Sequence, residues 1–223
     1  MSTIVITGAS SGIGAAIAQQ LAPRHRLILV ARRRDRLEVL ARSLAATAVV
    51  ADLATAEGLA TVTAAATGPI HALVNNAGAF SIAAAEAIDR AHLESLWRLN
   101  VDAPMLLTAA LLPRFTSGGI VVNISSAVVD NAFTGCAAYT ASKCALEGWS
   151  RVLREELRPR GIRVGVVVPS KTDTEIWPEG TTAAARALML RADDVAASVR
   201  LMVEASPGAS YDRISVTPSG GAG

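Results

Sequence analysis

The stretch "TIVITGASSGIGAAIAQQLA", residues 3–22, sets a short β-branched run against a glycine-rich turn and then an Ala-rich helical run. "TIVIT" is too short and too apolar for a surface helix and reads as a buried strand. The glycines that follow fall at 8, 12 and 14, which is not the literal G-x-G-x-x-G spacing. The physical tasks of such a turn are still filled. Gly8 turns the chain sharply off the strand, Gly12 leaves room for a pyrophosphate beside the backbone, and Gly14 lets the next helix pack close. Ser10 and Ser11 add hydroxyl donors, and the helix N-terminus aims free N–H groups at the phosphates. The stretch therefore predicts a strand–turn–helix unit built around an anionic ligand.

Working outward, similar apolar runs recur: "RLILVA" (26–31), "TAVVA" (47–51), "HALVN" (71–75), "GIVVNIS" (119–125), "IRVGVVVP" (162–169) and "RISVT" (213–217). Between the first six lie stretches of helical period such as "RDRLEVLARSLA". Strands that are apolar throughout belong to a parallel sheet covered on both faces. Regular strand–helix alternation implies a doubly wound α/β fold with right-handed crossovers. No linker divides the chain, so residues 1–223 read as one domain. The alternation breaks at 170–191, "SKTDTEIWPEGTTAAARALMLR", a loop at the carboxyl ends of the strands, where such sheets bind ligands. The tail "PSGGAG" (218–223) reads as loosely ordered.

Composition excludes several classes. Apolar residues make up 51% and charged residues 18%, which favours a packed core over disorder. The net charge of +2 and the scattered arginines argue against a nucleic-acid surface. Two cysteines, Cys136 and Cys144, make neither a disulfide framework nor a zinc pattern, so no metal is expected. The start "MSTIVITGAS" lacks the basic and apolar parts of a secretion signal, and no apolar run is long enough for a membrane helix. These features predict a cytoplasmic protein.

The second strand ends in "VARRRDRL" (30–37). A dinucleotide fold that takes the unphosphorylated cofactor commonly has an acidic residue here for the ribose 2′-hydroxyl. Ala31 and Arg32 stand in its place, and a guanidinium attracts a phosphate and can bond it bidentately. NADP(H) is the expected cofactor in preference to NAD(H), with Arg32 on the 2′-phosphate. Arg33 and Arg34 read as the solvated start of a helix.

Four further pieces fall in order: "NNAG" (75–78), Asn100 inside a long helical stretch, "NISS" (123–126) and "YTASK" (139–143). Together with "TGASSGIG" they resemble the short-chain dehydrogenase/reductase family, in its single-domain branch, over nearly the whole chain. The resemblance implies a Rossmann fold with a mostly parallel seven-stranded sheet in the order 3-2-1-4-5-6-7. It implies that Tyr139 is the acid/base, Lys143 its activator and ribose holder, Ser126 the carbonyl-orienting hydroxyl, and Asn100 the holder of a relay water. Asp52 and Leu53 would flank the adenine, and Asn76 and Gly78 the adenosine-side ribose. Ile13 in the glycine turn and Pro169, Thr172 and Thr174 after the sixth strand complete the expected cofactor contacts. A homodimer or homotetramer is implied, with the helices around 90–113 and 137–159 as faces. The stretch "PSKTDT" (169–174) departs from the family, with Ser170 in place of a glycine and Thr172 in place of an aliphatic residue.

The chemistry stands beside the resemblance. A carbonyl accepting hydride develops negative charge on oxygen, which a Ser hydroxyl can polarise and a phenol can protonate. Tyr139 and Lys143 lie one helical turn apart. At ~4 Å and an effective dielectric of ~20, an ammonium favours the phenolate by about 4 kcal/mol, which predicts a depressed phenol pKa. A reductase acting on a carbonyl or secondary alcohol is the leading reading; a cofactor-binding sensor or scaffold with little turnover is the alternative. His25, His71 and His92 fit none of these roles.

Overall fold

Because successive residues of a strand point to opposite faces, the first strand has to satisfy two cores at once. In the computed structural model, which describes residues 1–177, 179–206 and 208–220, Ile4 and Ile6 enter one cluster with Ile17, Val195 and Val199. Val5 enters the other, with Leu73, Leu107, Val121 and Leu153. Every one of these is buried. A sheet buried on both faces is what a continuous apolar run requires.

The strands are β1 (Thr3–Thr7), β2 (Arg26–Ala31), β3 (Thr47–Val50), β4 (Ile70–Asn75), β5 (Phe115–Ile124), β6 (Arg163–Pro169) and β7 (Arg213–Val216). They form one seven-stranded sheet in the order β3-β2-β1-β4-β5-β6-β7, and each neighbouring pair is parallel. The helices are α1 (Gly12–Leu21), α2 (Arg34–Ser43), α3 (Ala56–Ala65), α4 (Arg90–Trp97), α5 (Ala103–Leu111), α6 (Ala137–Leu157), α7 (Ala183–Ala187) and α8 (Ala192–Val203). α1 and α8 pack on one face of the sheet, and α3, α5 and α6 on the other. The direction of winding reverses between β1 and β4, so the crevice opens at the carboxyl ends of those two strands.

Two local features differ from the sequence expectation. β5 begins at Phe115 rather than near 119, because Phe115 pairs with Ile70 before the register shifts to Ala72↔Ile120. Gly118, at φ +82°, lets "TSGG" make that irregularity inside the strand instead of ending it. The helical stretch around Asn100 is not continuous either. A π-helical segment, Arg98–Asp102, joins α4 to α5. Residues 221–223 of the tail lie outside the described residues.

The glycine turn shows why the opening stretch decides the fold. Gly8 has φ +66° and turns the chain off β1. A Cβ on Gly14 would lie 2.3 Å from the Gly8 carbonyl oxygen, so α1 can close on the turn only with glycine there. Gly14→Ala is expected to destabilise the protein by about 2–3 kcal/mol, read as a lower urea midpoint with an unchanged denaturant slope.

Candidate active site

The carboxyl ends of β1 and β4 are tied by side chains. The Thr7 hydroxyl donates to the Val74 carbonyl (3.2 Å) and accepts from the Asn76 and Ala77 N–H groups (2.9 and 3.0 Å). The Asn76 carboxamide donates back to the Thr7 and Gly8 carbonyls (2.8 and 3.3 Å). Between these ends runs a cleft of about 630 Å³, a size typical of small-molecule sites. Apart from Gly14 and Asn100, which lie behind it, every site residue expected from sequence lines this cleft.

One end is lined by Asp52 and Leu53. Asp52 holds its own turn, with Oδ1 accepting from the Ala54 N–H (3.0 Å). α3 crosses so close behind it that a Cβ on Gly58 would lie 1.9 Å from the Asp52 carbonyl oxygen. Ser11 precedes α1 without bonding its first-turn N–H groups, so those donors have no side-chain cap. Both serine hydroxyls are engaged by Arg33. Its Nε donates to Ser10 Oγ (3.2 Å), one terminal nitrogen donates to Ser11 Oγ, and the other donates to Glu175 (2.7 Å). Arg36 donates to the same carboxylate at 2.5 Å, and together Arg33 and Arg36 hold Glu175 below the usual carboxylate range.

Sequence reasoning chose Arg32 and set Arg33 aside as surface. Arg32 does line the cleft, but Arg33 is the guanidinium that reaches the phosphate turn. The available signal was its place immediately before α2, where the backbone is still extended. Arg34 pairs with Glu38 along α2, as a solvated face does. Ile13 and Pro169 line the cleft. The Thr174 methyl lies 3.0 Å from where a Cβ of Gly12 would stand, so this loop rests directly on the phosphate turn. Thr172 is buried with its hydroxyl donating to the Ser170 carbonyl (2.9 Å). Ser170 does not adopt a positive φ, and its N–H bonds Val216 of β7 (2.9 Å), so the missing glycine introduces no backbone strain.

At the middle of the cleft stand Ser126, Tyr139 and Lys143. Lys143 is buried and donates to the Ile124 carbonyl (2.9 Å). Gly78 makes room for it, since a Cβ there would sit 3.5 Å from the Lys143 Nζ and 3.1 Å from the Asn100 Oδ1. The Asn100 carboxamide has both N–H donors and one acceptor position taken. It accepts from the Ala79 N–H (2.8 Å) and donates to the Ala79 carbonyl (2.9 Å) and Ser142 Oγ (3.0 Å). A relay water there could donate to the second acceptor position of Oδ1 or to a backbone carbonyl.

The electrostatics correct the expected depression of the phenol. Burial pushes Tyr139 up to about 12, against an opposing hydrogen bond from Ser126. Burial likewise lowers Lys143 from 10.5 to about 8. The Lys143 Nζ stands 5.8 Å from the Tyr139 ring centre, and desolvation is the largest cause of both shifts. In this state Tyr139 is a protonated phenol, which suits proton donation.

Residues 2–184 match the model of the short chain dehydrogenase family. The chain belongs to that family. An uncharacterised oxidoreductase of Methylorubrum extorquens is 36% identical over 77% of this chain and 73% of its own length. The sulfoacetaldehyde reductase of Chromohalobacter salexigens is 30% identical over 97% of this chain and 93% of its own length. The crystal structure of a short chain dehydrogenase from Burkholderia cenocepacia in complex with NADP is similar at a TM-score of 0.90, with 30% identity over 99% of this chain and 97% of that one. The protein is thus a short-chain dehydrogenase oxidoreductase with the Rossmann-type sheet of that family.

Removing the buried charge of Lys143 yields a test of the site's electrostatics. Its lowered pKa corresponds to about 3 kcal/mol against the charged form, and an unpaired Ile124 carbonyl offsets about 1–2 kcal/mol of that. Lys143→Met should therefore be more stable than the native protein at neutral pH by about 1–2 kcal/mol. Below about 8 the amine is charged both folded and unfolded, and the penalty is complete. Between about 8 and 10.5 the folded amine is neutral while the unfolded one is charged, so native stability rises and the difference shrinks. Urea unfolding of both proteins across that window checks the sign.

Proposed function

We propose that this short-chain dehydrogenase is an NADP(H)-dependent carbonyl reductase, reversible as an alcohol dehydrogenase. The observation that carries this reading is the convergence of Ser126, Tyr139 and Lys143 in the same cleft as the glycine turn. The cleft suits a dinucleotide: N–H groups without a side-chain cap at α1, Asp52 and Leu53 at one end, and Arg32 and Arg33 for a 2′-phosphate. Asn76, Gly78 and Lys143 would hold the riboses, and Pro169, Thr172 and Thr174 the nicotinamide side. The bound cofactor supplies the hydride that reduces a carbonyl carbon, or accepts one from an alcohol.

The side chains manage the charge on oxygen. As the carbonyl becomes an alkoxide, the Ser126 hydroxyl hydrogen-bonds it and Tyr139 gives up its phenolic proton, leaving a secondary alcohol. The Lys143 ammonium offsets the phenolate that remains. Proton return would pass behind Lys143 toward the π-helical segment at Asn100. NADP carried by the similar Burkholderia structure supports the cofactor choice. Leu93, Trp97 and Leu106 are exposed on α4 and α5, and Val152 on α6, and this apolar surface supports a homodimer or homotetramer.

Tyr139→Phe should lower kcat by a factor of about 10² to 10⁴ while the Kd for NADPH, measured by fluorescence titration, stays unchanged; near-native turnover would sink the assignment. Arg33→Ala should weaken NADPH by about tenfold or more and leave NADH nearly unaffected. Equal losses for both cofactors would return Arg33 to a purely structural part.

A further inference from the structure

The chain is poor in aromatic residues, with three Phe, three Trp and two Tyr. Four of these eight, Phe80, Phe133, Tyr139 and Trp177, line the same cleft. Of the other four, Phe115 is buried in the core and Trp149 packs half-buried against it, while Trp97 and Tyr211 are exposed. Packing needs do not explain that distribution, because aliphatic side chains fill both faces of the sheet. The rings are also organised. Phe80 meets Tyr139 edge-on, with centres 5.0 Å apart at 83°, and meets Trp177 at 5.8 Å and 58°. Trp177 donates its indole N–H to the Thr172 carbonyl (2.9 Å), so its polar atom is satisfied within the loop. Phe133 lies on the far wall, with Lys171 Nζ 5.8 Å from its ring centre.

Two exposed aliphatic side chains continue this surface. Ile82 and Ile176 line the cleft, at 62% and 49% exposure. Ile82 is set against Gly135, whose φ of +80° and missing Cβ admit it: a Cβ there would lie 2.6 Å from the Ile82 side chain. The carboxylates that line the cleft, Asp52 and Glu175, are both engaged, Asp52 by the Ala54 N–H and Glu175 by Arg33 and Arg36. Aromatic faces reward flat π-systems through offset and edge contacts, and a polyhydroxylated chain would leave its hydroxyls unpaired against them.

We propose that the substrate is a flat carbonyl compound with an aromatic ring conjugated to the carbonyl, an aryl ketone or a benzo-fused quinone, lying against the Phe80–Trp177 pair with its oxygen at Ser126 and Tyr139. This inference rests on the carbonyl-reductase reading and narrows its substrate class. Trp177 is then the residue that sets specificity, and it acts on the ring rather than on the reacting carbon.

The test compares acetophenone with cyclohexyl methyl ketone, which keeps the size and the carbonyl but loses the flat ring. Sulfoacetaldehyde and erythrulose serve as polar comparators. NADPH oxidation should show kcat/KM higher for acetophenone than for cyclohexyl methyl ketone by roughly three- to tenfold, and higher still over the polar pair. Trp177→Ala should remove that preference through KM while NADPH affinity is unchanged, and Trp177→Phe should restore most of it. Equal rates for the two ketones, a polar compound as best substrate, or an unaltered preference in Trp177→Ala would overturn the proposal. Binding gives an independent arm: acetophenone should quench native tryptophan fluorescence more than it quenches Trp177→Phe. Quenching without turnover of any carbonyl would overturn the reductase reading and leave the aromatic site standing. Turnover of polar carbonyls without Trp177 quenching would do the reverse.

Discussion

The mutual grip of Thr7 and Asn76 is the constraint on which the site depends. At the point where the sheet changes direction, β1 and β4 diverge into loops, and nothing in the strand ladder beyond Val74 holds them together. One hydroxyl and one carboxamide close that gap with four N–H or O–H bonds at 2.8–3.2 Å and one longer contact. The same carboxamide nitrogen crowds the places where Gly8 and Gly14 would carry side chains. The turn, the start of α1 and the backbone leading to Gly78 are thereby set relative to one another. A polar residue at Asn76 is therefore part of the scaffold as much as of the cleft wall.

Behind the reacting groups lies a second buried polar path. Asn75 donates to Asn123 Oδ1 (2.8 Å) and Thr108 (3.2 Å), Asn123 donates to Ser150 (2.8 Å), and Ser150 donates back to the Leu146 carbonyl (2.6 Å). Fully satisfied networks of this kind fix register between packed elements, because any slip leaves buried donors unpaired. Here the elements are β4, β5, α5 and α6, the last of which carries Tyr139 and Lys143. α6 is thus held in rotation on its buried side at Ser150, about two turns beyond Lys143.

Much of this was legible in the sequence because continuous apolar strands and a glycine turn leave few alternatives. The strand positions, their parallel arrangement and the glycine-turn residues follow from such local rules, whereas cleft-lining residues such as Asp52, Asn76, Tyr139 and Thr174 were legible only through the family resemblance. Other features depend on three-dimensional burial. The choice between Arg32 and Arg33 turns on where the backbone rotates into α2. The direction of the Tyr139 shift depends on desolvation, which the i,i+4 spacing does not report. Gly58 looks like an ordinary helical glycine in "AEGLA" until its approach to the Asp52 carbonyl is seen. The marker of the π-helical turn at Asn100 lies outside "RLNVD": Pro104 has no N–H for the Asn100 carbonyl, four residues back.

The loop after β6 is clamped at its base. Thr172 bridges Leu190, the Leu190 N–H bonds the Lys171 carbonyl (2.9 Å), and the Asp173 N–H bonds the Leu190 carbonyl (2.8 Å). Entry and exit are therefore stitched side by side, and the chain returns to α8 from nearly the place it left β6. A segment closed in this way behaves as an exchangeable cassette. Beyond Thr174 and Glu175, which contact the phosphate turn and the arginines beside it, its length and side chains can change while the strand ends stay in place. Diversification of substrate range within one scaffold then needs no adjustment of the sheet.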